Sequence, residues 1–152
     1  MVLTPDLQHL TSKINKLREA KKFNEIFSIS EEMKESTEKY LLATNALLHL
    51  RDWKRLVEYC DRGLKISEEG EFYHLKGKAL GKLGDHLKKV ELIQRAIEFN
   101  SSIPAYHRNL GAAFYSLKKY EIAVECHQKA ISLEPGNAIN YHNKGAAYYR
   151  MR

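Results

Sequence analysis

Side chains capable of catalysis or metal binding occur in the sequence but do not form a known motif. Of the seven histidines, no two are four residues apart, and the zinc motif HExxH is missing. Phosphate-binding glycine loops and the GxSxG motif of a nucleophilic serine are also missing. Cys60 and Cys126 each lie in a helical pattern, where we expect reduced, packed thiols. We therefore predict no enzymatic activity, no metal and no cofactor.

Two asparagines stand at equivalent places in the sequence, one structural repeat apart. They are Asn109 and Asn143, separated by 34 residues. An asparagine amide offers two donors and an acceptor, and the backbone of an extended peptide presents both kinds of group. The pair could therefore hold a peptide, or each amide could be solvated or hydrogen-bonded locally.

Basic side chains outnumber acidic ones only in the second half of the sequence. The formal charge is +6, and residues 71–152 account for all of it with 13 basic and 7 acidic side chains. This excess would attract an acidic partner. A mildly basic, solvated surface would show the same excess, so charge alone does not separate the two interpretations.

The elements that must position these side chains are helices. Apolar residues recur with helical periodicity almost everywhere, and no alternating run is long enough to indicate a strand. Thr4 is placed to cap the first helix, with Pro5 in its first turn. Short connections make neighbouring helices antiparallel. The predicted helices are residues 5–20, 23–35, 37–50, 53–67, 71–83, 86–99, 104–117, 120–133 and 138–151.

Five sets of residues repeat with the same period of 33 or 34 residues. Each repeating unit consists of a helix, a tight turn and a second helix. A single unit cannot cover its own apolar face, so the units must stack. The sets are Tyr40, Tyr73, His107 and Tyr141; Leu50, Leu83 and Leu117; Trp53, His86 and Tyr120; Gly63, Ala96 and Ala130; and Gly77, Gly111 and Gly145.

This pattern resembles the tetratricopeptide repeat family, in which an aromatic residue, Leu-Gly, an aromatic residue, Ala, another large residue, Ala and Pro recur in order. The resemblance is clearest over residues 104–135, although histidines replace two of the usual aromatics. Thr44 takes the glycine position of an earlier unit, and Lys89 stands where a small residue is expected. The matching residues are His107, Leu110, Gly111, Phe114, Ala123, His127, Ala130 and Pro135.

The resemblance implies one all-α array over residues 1–152, a right-handed superhelical solenoid of antiparallel helix pairs. In the family, the first helix of each pair lines a long concave groove. We divide the array into a degenerate helix pair, three repeats and a last helix that either begins a further repeat or caps the solenoid. These segments are residues 5–36, 37–69, 70–103, 104–137 and 138–152.

The groove positions are those first-helix residues that do not pack against the second helix. The earlier unit is more apolar there, with Leu41, Leu42 and Leu48, and the later units are polar, aromatic and basic. The family's carboxylate clamp requires lysines and an arginine at places where this chain has Leu41, His74 and Ile139, so we do not expect that clamp. The predicted peptide-binding residues are Asn45, His74, Lys78, Lys82, Arg108, Asn109, Ala112, Tyr115, His142, Asn143, Tyr149 and Arg150.

The leading hypothesis is an adaptor that binds an extended, possibly acidic, peptide or partner segment in the groove. The alternative is a structural scaffold or a self-associating fragment of a longer array, which would use the C-terminal helix for a homo-oligomer. Nucleic-acid binding is less favoured, because no nucleic-acid motif accompanies the modest basic charge. No apolar run is long enough to span a bilayer, and the N-terminus does not resemble a signal peptide. We therefore expect no membrane partner and an intracellular, cytoplasmic location.

Overall fold

The computed structural model describes residues 5–152, with side chains from residue 8 onward, and within this range it contains helices and no strand. Thr4 and its predicted capping role lie outside the described residues. The helices are α1 (Pro5–Glu19), α2 (Phe23–Glu32), α3 (Thr37–Leu50), α4 (Trp53–Ile66), α5 (Gly70–Lys82), α6 (His86–Phe99), α7 (Pro104–Ser116), α8 (Tyr120–Leu133) and α9 (Ala138–Arg150). The predicted all-α solenoid of antiparallel helix pairs is confirmed.

The turn within each helix pair has the same backbone geometry. Arg51, Gly84 and Lys118 follow α3, α5 and α7, and each has a positive φ, at 58°, 95° and 60°. A left-handed residue at this place ends one helix and reverses the chain. Asp52 then caps α4 by accepting from the backbone N–H of Arg55, and Asp85 caps α6 in the same way. The repeat period therefore appears in the backbone as well as in the side chains.

Glycines in the first and third repeats allow an aromatic or imidazole ring to lie against a helix backbone. A Cβ on Gly63 would lie 2.5–2.8 Å from ring atoms of Phe72, and a Cβ on Gly111 would lie 2.7–2.9 Å from ring atoms of His127. Such distances are shorter than van der Waals contact, so only glycine fits without displacing the ring. Gly111 therefore permits the close approach of α8 to α7.

Thr44, which replaces the repeat's glycine in α3, is fully buried. Its hydroxyl donates to the carbonyl of Tyr40 at 2.7 Å. This bond satisfies the polar group inside the core. The substitution is therefore compatible with packing, and it does not interrupt the helix.

The contacts between helices show which side of the array is concave. Each helix packs on its neighbours in sequence, and the first helices α3, α5, α7 and α9 also contact one another in succession. Among the described residues, the second helices α4, α6 and α8 make no such contacts with each other. In a curved array, the elements on the inner side lie closest together. The first helices therefore line the concave side.

Candidate functional site in the concave groove

Asn109 lies at the centre of the concave side and is held by two hydrogen bonds. Its amide nitrogen donates to the carbonyl of Ala105 and to Nε2 of His74, both at 2.9 Å. A carbonyl only accepts, so the contact with Ala105 identifies this atom as the amide nitrogen. Among the described residues, Oδ1 of Asn109 has no partner. This asparagine therefore retains an acceptor for a ligand and has already used its donors.

His74 connects Asn109 to a carboxylate on the preceding first helix. Because Nε2 accepts from Asn109, the proton of a neutral ring is on Nδ1, which lies 3.4 Å from Oε2 of Glu71 but makes no hydrogen bond among the described residues. The same carboxylate oxygen is 3.4 Å from the hydroxyl of Tyr106. Burial, and then the charge of Glu71, raise the pKa of Tyr106 to about 12. These contacts join α5 to α7 and fix the direction of the Asn109 amide.

His74 occupies a different environment from the one predicted. The sequence places it among exposed groove residues, but its side chain is buried, with its ring 4.7 Å from that of Tyr106. His74 therefore holds the Asn109 amide by a hydrogen bond, and little of its own side chain is exposed to a ligand. The sequence alone could not reveal this, because the contacts join residues 32 and 35 positions apart.

A cavity of about 290 Å³ follows Asn109 along the groove, between α7 and α9. The imidazole of His127 from α8 forms part of its wall and is almost fully buried, with Nδ1 lacking a hydrogen-bond partner among the described residues. Burial, and then repulsion by Arg108, lower the pKa of His127 to about 4, so the ring is neutral at neutral pH. The cavity is lined by Ala112, Tyr115, Ser116, His127, Asn143 and Ala146.

The basic residues predicted for the groove are not equivalent to one another. Arg108 is half-buried and forms an ion pair with Glu134 at 3.6 Å, so part of its charge is already neutralised. Lys78 is half-buried and Lys82 is exposed. Burial is the main reason that the pKa of Lys78 is below its usual range.

The N-terminal end of the groove is apolar. Asn45 donates to the carbonyl of Leu41 at 2.8 Å, which is the local hydrogen bond typical of an asparagine inside a helix. A cavity of about 410 Å³ lies beside it. The apolar lining comes from Leu10, Ile14, Met33, Leu41 and Leu42, in agreement with the apolar character predicted for this unit.

The remaining predicted site residues lie on α9 and are exposed. These residues are His142, Tyr149 and Arg150. Their spacing along α9 places them beside Asn143 and Ala146. The structure therefore brings Ala112, Tyr115 and Asn143 together around one cavity, with Asn109 one turn before Ala112 on α7, and it leaves His142, Tyr149 and Arg150 outside the cavity lining.

The predicted set omits three residues that lie against first-helix residues on the groove side, namely Tyr106, His127 and Lys89. The sequence predicts His127 only as a packing residue of the repeat, and it predicts no role for Tyr106. Lys89 comes from a second helix, where no groove residue was expected. Its presence at a position for a small residue was a usable signal, because a long charged side chain cannot remain in the core.

Within residues 5–152, no group of three or more His, Cys, Asp or Glu side chains is arranged to hold a metal ion. In the same range, no helix is both long enough and apolar enough to cross a membrane. Cys60 and Cys126 are unpaired, and burial raises the pKa of both thiols, that of Cys126 to about 11.

Comparison with models of known protein families identifies one repeat of this chain. A family model described as "Tetratricopeptide repeat" matches residues 104–137. A search of curated protein sequences found no match. The matched segment consists of α7, α8 and the turn that follows, which is the part of the groove that holds Asn109.

Solved structures extend the likeness of the fold over most of the chain. A MamA fragment from Desulfovibrio magneticus RS-1 has a TM-score of 0.83 at 19% identity, covering 99% of this chain and 88% of that one. YrrB, described as a TPR protein with an unusual peptide-binding site, has a TM-score of 0.72 at 18% identity, covering 89% of this chain and 72% of that one.

A third solved structure contains a bound peptide. The first TPR of Spaghetti (RPAP3), bound to the HSP90 peptide SRMEEVD, has a TM-score of 0.72 at 17% identity, covering 76% of this chain and 95% of that one. Identities at this level support the fold alone. Residues 104–137 are thus a tetratricopeptide repeat, and the chain has the fold of a tetratricopeptide repeat protein.

Proposed function

We propose that this chain is a protein-interaction module that binds an extended segment of a partner protein along its concave side. Asn109 carries the proposal, since it is oriented by His74 and Ala105 and retains an unpaired acceptor one helical turn before Ala112, which lines the cavity together with Asn143. An extended peptide could donate a backbone N–H to Oδ1 of Asn109 and place a side chain in the cavity. The proposed module binds its partner and does not catalyse a reaction.

The two asparagines do not offer the same hydrogen-bonding groups to a ligand. Asn109 is engaged locally through its nitrogen and is available only through its oxygen. Asn143 is half-buried and lines the cavity. We therefore assign Asn109 as an acceptor for the peptide backbone and Asn143 as the group that can both donate and accept.

We further propose that the partner segment is acidic. The support is the basic excess in the second half of the sequence and the lysines Lys78 and Lys82 on α5. The peptide bound by the RPAP3 repeat domain also contains acidic residues, although this chain lacks the carboxylate-clamp residues. An intracellular location remains a prediction.

The test uses peptides selected from a displayed random library on the immobilised wild-type protein. Their affinities are then measured by fluorescence anisotropy for the wild type and for an Asn109→Ala/Asn143→Ala variant. We expect the double substitution to weaken binding by roughly a hundredfold, since each lost hydrogen bond costs about 1.5 kcal/mol. The control is Gln94→Ala/Glu121→Ala, which changes exposed residues on the second helices.

The circular dichroism spectrum and the unfolding midpoint of each variant show whether it is still folded. Weaker binding by the asparagine variant alone supports the groove. Equal affinity of all three proteins for every selected peptide would place the binding surface elsewhere and reject the assignment.

A further inference from the structure

Lys89 occupies a position in α6 that is part of the core in the neighbouring repeats. The equivalent residues are Leu56, 33 positions earlier, and Ala123, 34 positions later, and both are fully buried. Lys89 is half-buried. A buried ammonium without a partner is unfavourable, so the side chain must carry its charge out of the core.

A glycine on the facing helix gives this side chain its path. Gly81 of α5 is equivalent to Leu48 and Tyr115 in the neighbouring repeats. A Cβ on Gly81 would lie 2.5 Å from Cδ of Lys89 and 3.4 Å from its Cε. The alkyl stem of Lys89 therefore passes directly over Gly81, through space that a side chain fills in the other repeats. Because Gly81 has no side chain, the stem of Lys89 has room at this place.

On α5, Lys82 is the next residue after Gly81 and Lys78 lies three residues before it, so the stem that passes over Gly81 brings the ammonium of Lys89 toward these two lysines. The charges that act on it are those of Lys82 and Lys78, both on the groove side of α5. Burial, followed by these two charges, lowers the pKa of Lys89 to about 8. Arg108 on α7 and Lys82 also repel Lys78, and only Glu71 opposes them.

None of these three lysines is paired within the described part of the chain. The ion pairs there involve other cations. Three ammonium groups that repel one another, of which those of Lys78 and Lys89 are half-buried, form an unfavourable arrangement in the free protein. An anionic oxygen group placed among them would remove the repulsion and accept several charge-assisted hydrogen bonds.

We propose that Lys89 joins Lys78 and Lys82 to form a subsite in the groove for an anionic side chain of the partner segment, either a carboxylate or a phosphate. The inference rests on the proposed function for the nature of its ligand, which is a segment of a protein. It adds a specific place for the acidic group and assigns a residue from a second helix to the site.

The first experiment uses inorganic sulfate as the probe and needs no peptide. Lysines labelled with ¹³C are titrated by NMR in sodium sulfate and in sodium chloride of equal ionic strength, and the signal of Lys89 is identified by its loss in Lys89→Met. We expect sulfate to raise the pKa of Lys89 by about 1. The exposed Lys54 on α4 is the internal control, and an equal effect on both lysines would overturn the proposal.

The second experiment identifies the anion with three peptides that share one backbone sequence and differ at three positions, which carry glutamate, phosphoserine or glutamine. At pH 7, we expect the wild type to bind the glutamate or the phosphoserine peptide about tenfold more tightly than the glutamine peptide. Whichever anionic peptide is preferred identifies the group. Lys89→Met retains the stem and should lose this preference, whereas Lys54→Met should retain it.

The outcomes separate the subsite from the proposed function. Equal binding of the three peptides by the wild type, or a preference that survives in Lys89→Met, would overturn the subsite and leave peptide binding in place. A sulfate effect on Lys89 without binding of any peptide would support the subsite and count against the peptide-binding function.

Discussion

At the scale of single residues, Lys89 makes a prediction about stability as well as about binding. Its pKa is about 8 in the folded protein and about 10.4 in an unfolded chain. Below pH 8 both states are protonated, and the folded state bears the full cost of the charge. Between about pH 8 and 10, the folded side chain has lost a proton that the unfolded chain still holds. The free energy of unfolding therefore rises with pH over this range.

We expect Lys89→Met to increase the free energy of unfolding at pH 7 by about 1–3 kcal/mol and to reduce its rise between pH 8 and 10. The measurement is urea denaturation at a series of pH values. Lys54→Met, on the exposed surface of α4, should change the stability by less than about 0.5 kcal/mol. A less stable Lys89→Met protein with an unchanged pH dependence would show that the charge of Lys89 is not disfavoured in the folded state.

At the scale of helices, the glycine position that recurs in the first helices has different surroundings in α7 and in α9. Gly111 in α7 faces the ring of His127, whereas a Cβ on Gly145 in α9 would meet nothing within 4 Å among the described residues. Tyr141 and Tyr148, on the same helix as Gly145, are about half exposed. A side chain therefore packs against this glycine position in the third repeat, whereas the position is open in the last helix.

Alanine substitutions at these two glycines should have opposite effects. Gly111→Ala should lower the free energy of unfolding by about 1–3 kcal/mol, because the new methyl group displaces a buried ring. Gly145→Ala should raise it by up to about 1 kcal/mol, because alanine is the better helix former and nothing opposes it. Chemical denaturation of the pair checks both values. Stabilisation by both substitutions would show that Gly111 is not required for packing.

The sequence predicts the helices well because their signals are local. Of the nine helices in residues 5–152, eight end within one residue of the predicted end, and α2 is the exception, since it ends at Glu32 and not at residue 35. No glycine or proline follows α2 to mark its end. The backbone becomes extended at Met33, and Glu35 instead bonds the side chains of Lys39 and Tyr40.

The details of the site are less predictable, because they depend on contacts between repeats. Helical spacing is enough to predict that Asn109, Ala112 and Asn143 lie on the helix faces that line the groove. It does not show that His74 turns inward to accept from Asn109, or that Lys89 reaches the groove over Gly81. These arrangements arise from pairs of residues on different helices, and a single sequence does not reveal such pairs.

At the scale of the whole molecule, the groove changes in character from one end to the other. The cavity beside α1 and α3 is lined mainly by apolar side chains, the middle presents Asn109 and the lysines of α5, and the far end is the cavity between α7 and α9. A partner segment that fits this surface would place an apolar group, an acidic group and a further side chain in that order. Under the proposed function, the order of the three regions sets the order of these groups along the partner segment.

The central claim is that the concave side binds the partner, and chemical-shift mapping of a bound peptide tests it most directly. Backbone amide shifts of the ¹⁵N-labelled protein are followed as the tightest selected peptide is added. We predict that the large changes fall on α3, α5, α7 and α9, with the strongest near Asn109 and Asn143. Changes concentrated on the outer surfaces of α4, α6 and α8, with α5 and α7 unaffected, would contradict the account.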